Sequence, residues 1–271
     1  MTVLNSIILG IVQGIGEFLP ISSSGHLLFI PWLFNWKYEN SMSFDIALHV
    51  GTLIAVLAFF WKDWFVLIKD FLTKGIKTFN GKMLLYLAVA TIPGVLAGML
   101  LDEFAESFFR GQYMPLVLAC SLSVMGILLL LADKYGKQVS EYEDMTFMQT
   151  LLIGISQAFA IIPGTSRSGV TMAMARALGI KREAAAKFSF LLSTPIIAGA
   201  AVYQFIFKSS ELVMAEIFSV PFFVGVFTAM IVGFLSIKFL MKYLQTSNFN
   251  IFVIYRLVIS AILVAVYIIR M

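Results

Sequence analysis

Six runs of about twenty mostly apolar residues constrain this chain more than any other feature. They cover Phe44–Trp61, Met83–Leu101, Tyr113–Ala132, Phe188–Phe207, Val220–Met241 and Ile251–Ile269. A helix needs about 20 such residues to cross ~30 Å of hydrocarbon. Composition agrees: 60% of the 271 residues are hydrophobic and 13% are charged, where soluble domains carry about 25% charge. The expected fold is an all-α polytopic membrane protein, a single integral membrane domain over residues 1–271.

Two further apolar regions, 3–36 and 147–179, do not read as simple spans. The first is broken at Pro20 and Ser22-Ser23-Ser24, the second at Pro163-Gly164 and Thr165-Ser166-Arg167-Ser168. Proline and glycine interrupt helices. Each region is long enough for two half-helices with a non-helical tip, the pattern of a re-entrant hairpin. Such a tip is tolerated at membrane depth only inside protein or beside a wet cavity.

Loop charges give an orientation. Five lysines between 62 and 82 against Asp63 and Asp70 place that loop in the cytoplasm. Lys181, Arg182 and Lys187 place 180–187 there too, and Lys238 and Lys242 flank another inside loop. The acidic 102–112 and 208–217 loops suit the outside, and the mixed 133–146 loop is inside by alternation. Each broken region then enters and leaves on one side and is followed by three spans. Three is odd, so the second half is inverted relative to the first. The halves are about 1–135 and 145–271. GIVQGIGEFLPISSSG (10–25) over GISQAFAIIPGTSRSG (154–169), an offset of 144, matches at Gly10, Ile11, Gln13, Ser22, Ser24 and Gly25. Inverted repeats built on broken helices place a site where the halves meet.

The net charge of +4 fits loop topology better than nucleic-acid binding, for which no basic run with interleaved aromatics is present. Cys120 is the single cysteine, which excludes an internal disulfide, and is expected to pack as a small side chain. Residues 1–16 contain no Lys or Arg, so insertion without a cleaved signal peptide is expected.

The polar groups of the broken regions suggest chemistry. Glu17 follows Gln13 by four residues, on one helical face. An ionisable group in a membrane segment is costly and by default functional. It can bind a divalent cation, accept a proton, or both. Ser22, Ser23 and Ser24 either cap the next half-helix or supply a nucleophile, and with Gly25 they form an anion cradle. His26 can face Ser22 and Ser23 in a helix, whereas His49 lies in a long span and suits interhelical hydrogen bonding. Arg167 sits in PGTSRSG, where its fork matches phosphate oxygens or pairs with Glu17. Thr165 and Thr171 add hydroxyls, and Arg176, Lys181 and Arg182 read as interface or loop charges. A nucleophile or positioned water, a base and a charge clamp suit phosphoryl transfer. Depth in the membrane suggests a phosphate head on a lipid tail.

QGIGEFLPISSSGH and PGTSRSGVT resemble the two signature motifs of the undecaprenyl-diphosphate phosphatase family, the BacA-type bacitracin-resistance proteins. Gln13 and Glu17 fill the first motif, followed by Pro20 and Ser23-Ser24-Gly25-His26; Pro163, Gly164, Ser166, Arg167, Ser168 and Gly169 fill the second. The resemblance covers the chain in length and span layout. It implies removal of one phosphate from undecaprenyl diphosphate, which recycles the carrier of cell-wall precursors, with Mg²⁺ or Ca²⁺ as cofactor. It also implies a site opening to the outer face of the bacterial inner membrane.

The catalytic set so implied is Glu17, Ser23, His26 and Arg167, with Glu17 the main metal ligand, since Gln13 leaves no second carboxylate in that motif. Ser23 is the implied nucleophile, which spacing alone does not choose over Ser22 or Ser24. Gln13, Ser22, Ser24, Gly164, Thr165, Ser166, Ser168 and Thr171 complete the expected substrate site. Direct attack by water, with Ser23 only a ligand, stays open, and so does a homodimer. A transporter or flippase for a lipid phosphate is the rival reading, because its architecture would look the same. An intramembrane serine protease would leave the arginine tip without a role.

Overall fold

The computed structural model describes residues 2–36, 42–109, 111–207 and 219–270. Among these the chain is helical, apart from short 3-10 turns and an isolated bridge between Ser140 and Ile180. Among the described residues five helices are long and apolar enough to cross a bilayer, or six if the bent pair at Phe60 is one span. The five are α5 (Phe79–Phe109), α6 (Met114–Tyr135), α9 (Arg182–Phe207), α10 (Val220–Tyr243) and α11 (Asn250–Arg270). The protein is a multi-pass membrane protein.

The expected span Phe44–Trp61 is α3 (Met42–Phe59), and it does not end in a loop. At Phe60 the chain bends by 71° into α4 (Trp61–Lys74). The many lysines of 62–82 conceal an amphipathic helix. Trp61, Phe65, Ile68 and Leu72 recur at i, i+4, i+7 and i+11 and are exposed, while Leu67 is buried. The acidic stretch read as a loop at 102–112 is likewise helical to Phe109, because no glycine or proline intervenes before Gly111. The expected acidic loop 208–217 lies outside the described residues, as does Arg110.

Both broken regions are helix–break–helix. α1 (Val3–Phe18) ends before Pro20, and α2 (Ser23–Leu33) begins after the first serine. α7 (Phe147–Gln157) runs on as a 3-10 turn to Ile161, and α8 (Arg167–Ala177) begins after Ser166. Thr146 starts α7 with a reciprocal cap: its hydroxyl accepts from the Gln149 amide, and the Gln149 side chain accepts from the Thr146 amide.

The first arms pack on spans far away in sequence. α1 lies along α10, which also packs on α3, and α7 lies along α5. Small residues allow the close approach. A Cβ on Gly14 of α1 would sit 2.8 Å from the Gly233 amide nitrogen of α10. The second arm α8 packs against α6, α7 and α9, and α6 packs on α11. The two tips meet in the interior.

Away from the tips, Asp133 on α6 ties four segments together. It accepts from Arg176 Nε at 2.8 Å, from Arg182 Nε at 2.8 Å and from the Phe249 amide at 3.4 Å. Arg176, read from sequence as an interface or loop charge, is fully buried on α8 and also donates to the carbonyls of Asp133 and Gly136. Cys120 departs in the other direction and is exposed on α6.

Candidate active site

Glu17, on the last turn of α1, is the hub of the site. Its Oε2 accepts from Ser23 Oγ at 2.6 Å and from Gln13 Nε2 at 3.0 Å. Its Oε1 pairs with Arg167 Nη2. The carboxylate is buried, with 6% of its side-chain surface accessible. A buried charge persists only when paired and hydrogen-bonded, and three partners do that here. Arg167 spends one N–H on Glu17 and one on the Ser193 carbonyl at 3.1 Å. A guanidinium has five N–H groups, so three remain for a ligand.

The tips share a backbone device. Ser22 and Ser166 both take positive φ, 77° and 70°, which is uncommon for a residue with a side chain. Each caps the helix that follows, Ser22 Oγ accepting from the Gly25 amide at 3.3 Å and Ser166 Oγ from the Gly169 amide at 3.1 Å. Capping settles the third amide of each helix, leaving the first-turn amides of Ser23, Ser24, Arg167 and Ser168 as donors for an anion. The tips lie against each other: a Cβ on Gly25 would come within 3.4 Å of Gly164 Cα. Gly164 has φ 92° and faces Ser121, whose hydroxyl donates to the Pro163 carbonyl at 2.6 Å. A side chain there would meet both strain and collision.

The other expected residues divide. Ser168 Oγ donates to the Leu19 carbonyl at 3.2 Å and stitches tip to tip. Thr165 and Thr171 turn their hydroxyls to carbonyls of their own segment, Ile162 at 2.6 Å and Arg167 at 2.8 Å, and Thr171 also meets Ser189 Oγ at 2.7 Å. They brace the second tip. Ser24 is exposed. His26 is not brought to Glu17 or Ser23. Its Nδ1 contacts the Ser22 carbonyl at 2.7 Å and its Nε2 the Tyr255 hydroxyl at 2.7 Å, with the two rings stacked. A carbonyl only accepts, so Nδ1 carries the proton and Nε2 accepts from Tyr255.

Two residues join the site that local sequence spacing did not bring there. Arg256 of α11 is fully buried and donates to Pro20 O at 2.9 Å, Gly164 O at 2.7 Å, Thr165 O at 3.0 Å and Leu122 O at 3.1 Å. It holds the backbone of both tips at once. His49 of α3 places Nε2 3.8 Å from Glu17 Oε2.

Among the described residues no group of three His, Cys, Asp or Glu side chains forms a ready metal cage. The oxygen set still suits a hard cation. Glu17 is a carboxylate, and the buried Oε1 of Gln13 has no hydrogen-bond partner among the described residues. Mg²⁺ commonly binds through one or two protein oxygens and completes its shell with substrate phosphates and water.

Fold and site together define a multi-pass helical membrane protein with a serine, a carboxylate and an arginine gathered at the meeting of two broken helices. The chain belongs to the BacA bacitracin resistance protein family, whose model matches residues 6–262. It is similar to curated undecaprenyl-diphosphatases. The protein from Pelotomaculum thermopropionicum is 52% identical over 95% of this chain and 94% of its own length. That from Moorella thermoacetica is 47% identical over the whole of both chains. That from Caldicellulosiruptor bescii is 48% identical over 100% of this chain and 99% of its own.

Proposed function

We propose that this protein is an undecaprenyl-diphosphatase of the bacterial cytoplasmic membrane. It removes the terminal phosphate of undecaprenyl diphosphate, recycles the carrier for cell-wall synthesis and so gives bacitracin resistance. The observation that carries the reading is the line from Ser23 Oγ to Glu17 at 2.6 Å, with Arg167 on the other carboxylate oxygen. Transport needs no nucleophile, so a hydroxyl aimed at a buried carboxylate beside an arginine favours chemistry.

The terminal phosphate enters between the tips, where the free N–H groups of Arg167 and the first-turn amides hold its oxygens. Ser23 Oγ attacks phosphorus as Glu17 takes its proton. A bond forms from Oγ to phosphorus, and the bond from phosphorus to the bridging oxygen breaks. The electron pair leaves on undecaprenyl phosphate. In the second displacement a water oxygen attacks the phosphoserine, the Oγ–phosphorus bond breaks, and the water proton goes to Oγ. Inorganic phosphate leaves. A divalent cation, Mg²⁺ or Ca²⁺, would be held by Glu17 and Gln13 and would neutralise charge on the phosphates. His26 acts by position: its bonds to Ser22 and Tyr255 fix the turn that aims Ser23.

The two halves are inverted repeats, about 1–135 and 145–271, and the repeated serine-capped tips support this. Lysine-rich 62–82 faces the cytoplasm, which turns the site's mouth to the outer leaflet. The test is release of inorganic phosphate from undecaprenyl diphosphate by the purified protein in detergent, with Mg²⁺ and with chelator. Metal-dependent release by the wild type, lost in Ser23→Ala and Arg167→Ala, is expected. A folded wild type that binds the lipid but releases nothing would contradict the enzyme reading.

A further inference from the structure

The segment after α3 takes no part in the chemistry above, and its shape is that of a membrane-surface helix. The 18 residues of α3 rise about 27 Å, close to the ~30 Å of hydrocarbon. The chain has therefore reached the membrane surface where it bends by 71° into α4. With α3 across the bilayer, a helix turned that far lies nearly in the plane of the surface. α4 has three faces. Trp64 packs on the core, Leu67 is buried, and Asp63 pairs with Lys187 of α9 at 2.7 Å, which fixes one face to the protein. Trp61, Phe65, Ile68 and Leu72 form a second face, apolar and exposed. Lys62 and Lys69, seven residues apart and so on one side of the helix, flank that stripe.

The lysines of this segment are not neutralised within the protein. Asp63 and Asp70 are the only acids between Trp61 and Lys82. Both are taken, Asp63 by Lys187, and Asp70 by Lys74 at 2.9 Å and Asn80 at 2.8 Å. Lys62, Lys69, Lys77 and Lys82 are exposed and have no ion pair among the described residues. Lys62 Nζ lies 5.6 Å from the centre of the Trp61 ring, and Lys69 Nζ 6.0 Å from that of Phe65. The ammonium groups thus stand where the apolar stripe ends.

A stripe of aromatic and aliphatic side chains sinks into the acyl boundary of a leaflet, and lysines beside it come level with the lipid phosphates. We infer that α4 is an in-plane anchor that selects anionic phospholipids, with Trp61, Phe65, Ile68 and Leu72 among the acyl chains and Lys62, Lys69 and Lys77 on the headgroup phosphates. The occupant follows from charge: the stripe is bordered by cations without counter-charges, which an anionic headgroup supplies. A zwitterionic headgroup carries its own cation and gains less from each lysine.

The test offers the purified protein equimolar phosphatidylglycerol and phosphatidylcholine in detergent and counts bound lipids by native mass spectrometry. The wild type should retain phosphatidylglycerol about fivefold or more over phosphatidylcholine, a preference that falls with added salt. The variant Lys62→Gln/Lys69→Gln/Lys77→Gln should bring the preference to within about twofold, whereas Lys238→Gln/Lys242→Gln on α10 should keep it. Depth is read in bilayers of the same two lipids, in a Cys120→Ala background. A spin label on Phe65→Cys should meet oxygen more often than a nickel chelate, and a label on the exposed Thr73→Cys, one turn beyond Lys69, the reverse. A wild type without preference would overturn the inference, and so would a preference that survives the triple variant. A Phe65→Cys label open to the nickel chelate would also overturn it, by leaving the stripe in water for a soluble partner. Neither readout needs turnover, so failure here leaves the phosphatase reading intact, and absence of phosphate release leaves the anchor intact.

Discussion

The two tips are built alike and do different work. Each turns on a serine at positive φ whose hydroxyl caps an amide three residues on. At the offset of 144, the residue after the cap is Ser23 in one tip and Arg167 in the other. Both side chains converge on Glu17, one on each carboxylate oxygen. Six residues before the Ser23–Arg167 position, Glu17 faces Ile161; four residues earlier still, Gln13 matches Gln157. Gln13 donates to Glu17, whereas neither amide atom of buried Gln157 has a partner among the described residues. Two similar backbone turns thus present a hydroxyl and a carboxylate on one side and a guanidinium on the other.

The largest expected effect comes from removing what differs. Ser23→Ala should lower kcat by at least ~10³-fold with the lipid still bound. Arg167→Lys should cost about 10²- to 10³-fold, because a point charge replaces a fork. Near-normal turnover in either variant, measured as phosphate release, would mean the tips are not divided as described. Next comes what both tips share. Arg256→Met should lower stability by about 3 kcal/mol, as four carbonyls lose their donor. Its activity should fall about 100-fold as both tips loosen. Thermal unfolding in detergent and phosphate release would check both. The smallest effect is the sharpest contrast. Gln13→Leu should reduce turnover about 10-fold, whereas Gln157→Leu should leave turnover unchanged and stability neutral or up by about 1 kcal/mol. A loss of turnover in Gln157→Leu would show that the second glutamine has a job the present contacts do not reveal.

The spans and both breaks were legible from sequence because length and apolarity decide them locally. Glu17, Ser23 and Arg167 were legible because each sits beside a proline or glycine break in apolar surroundings. Of the two histidines it is His49, not His26, that lies near Glu17. His26 is near the serines in sequence, but a helical side chain leans toward its own N-terminus, which turns the ring to the Ser22 carbonyl four residues back. His49 reaches Glu17 only through the packing of α3, which no local spacing encodes. Arg256 carried a readable signal, an arginine inside an apolar run, and its four carbonyl partners on three separate segments explain why its role was not. In α4, lysine count masked an apolar stripe of period 3.6.

The stereochemical course at the terminal phosphorus tests the nucleophilic role of Ser23 most directly. The substrate would be undecaprenyl diphosphate made chiral at that phosphorus with oxygen isotopes and sulfur, hydrolysed by the wild type. Two successive in-line displacements, first by Ser23 and then by water, predict retention of configuration. Inversion would mean that water attacks directly and that Ser23 only holds the phosphate.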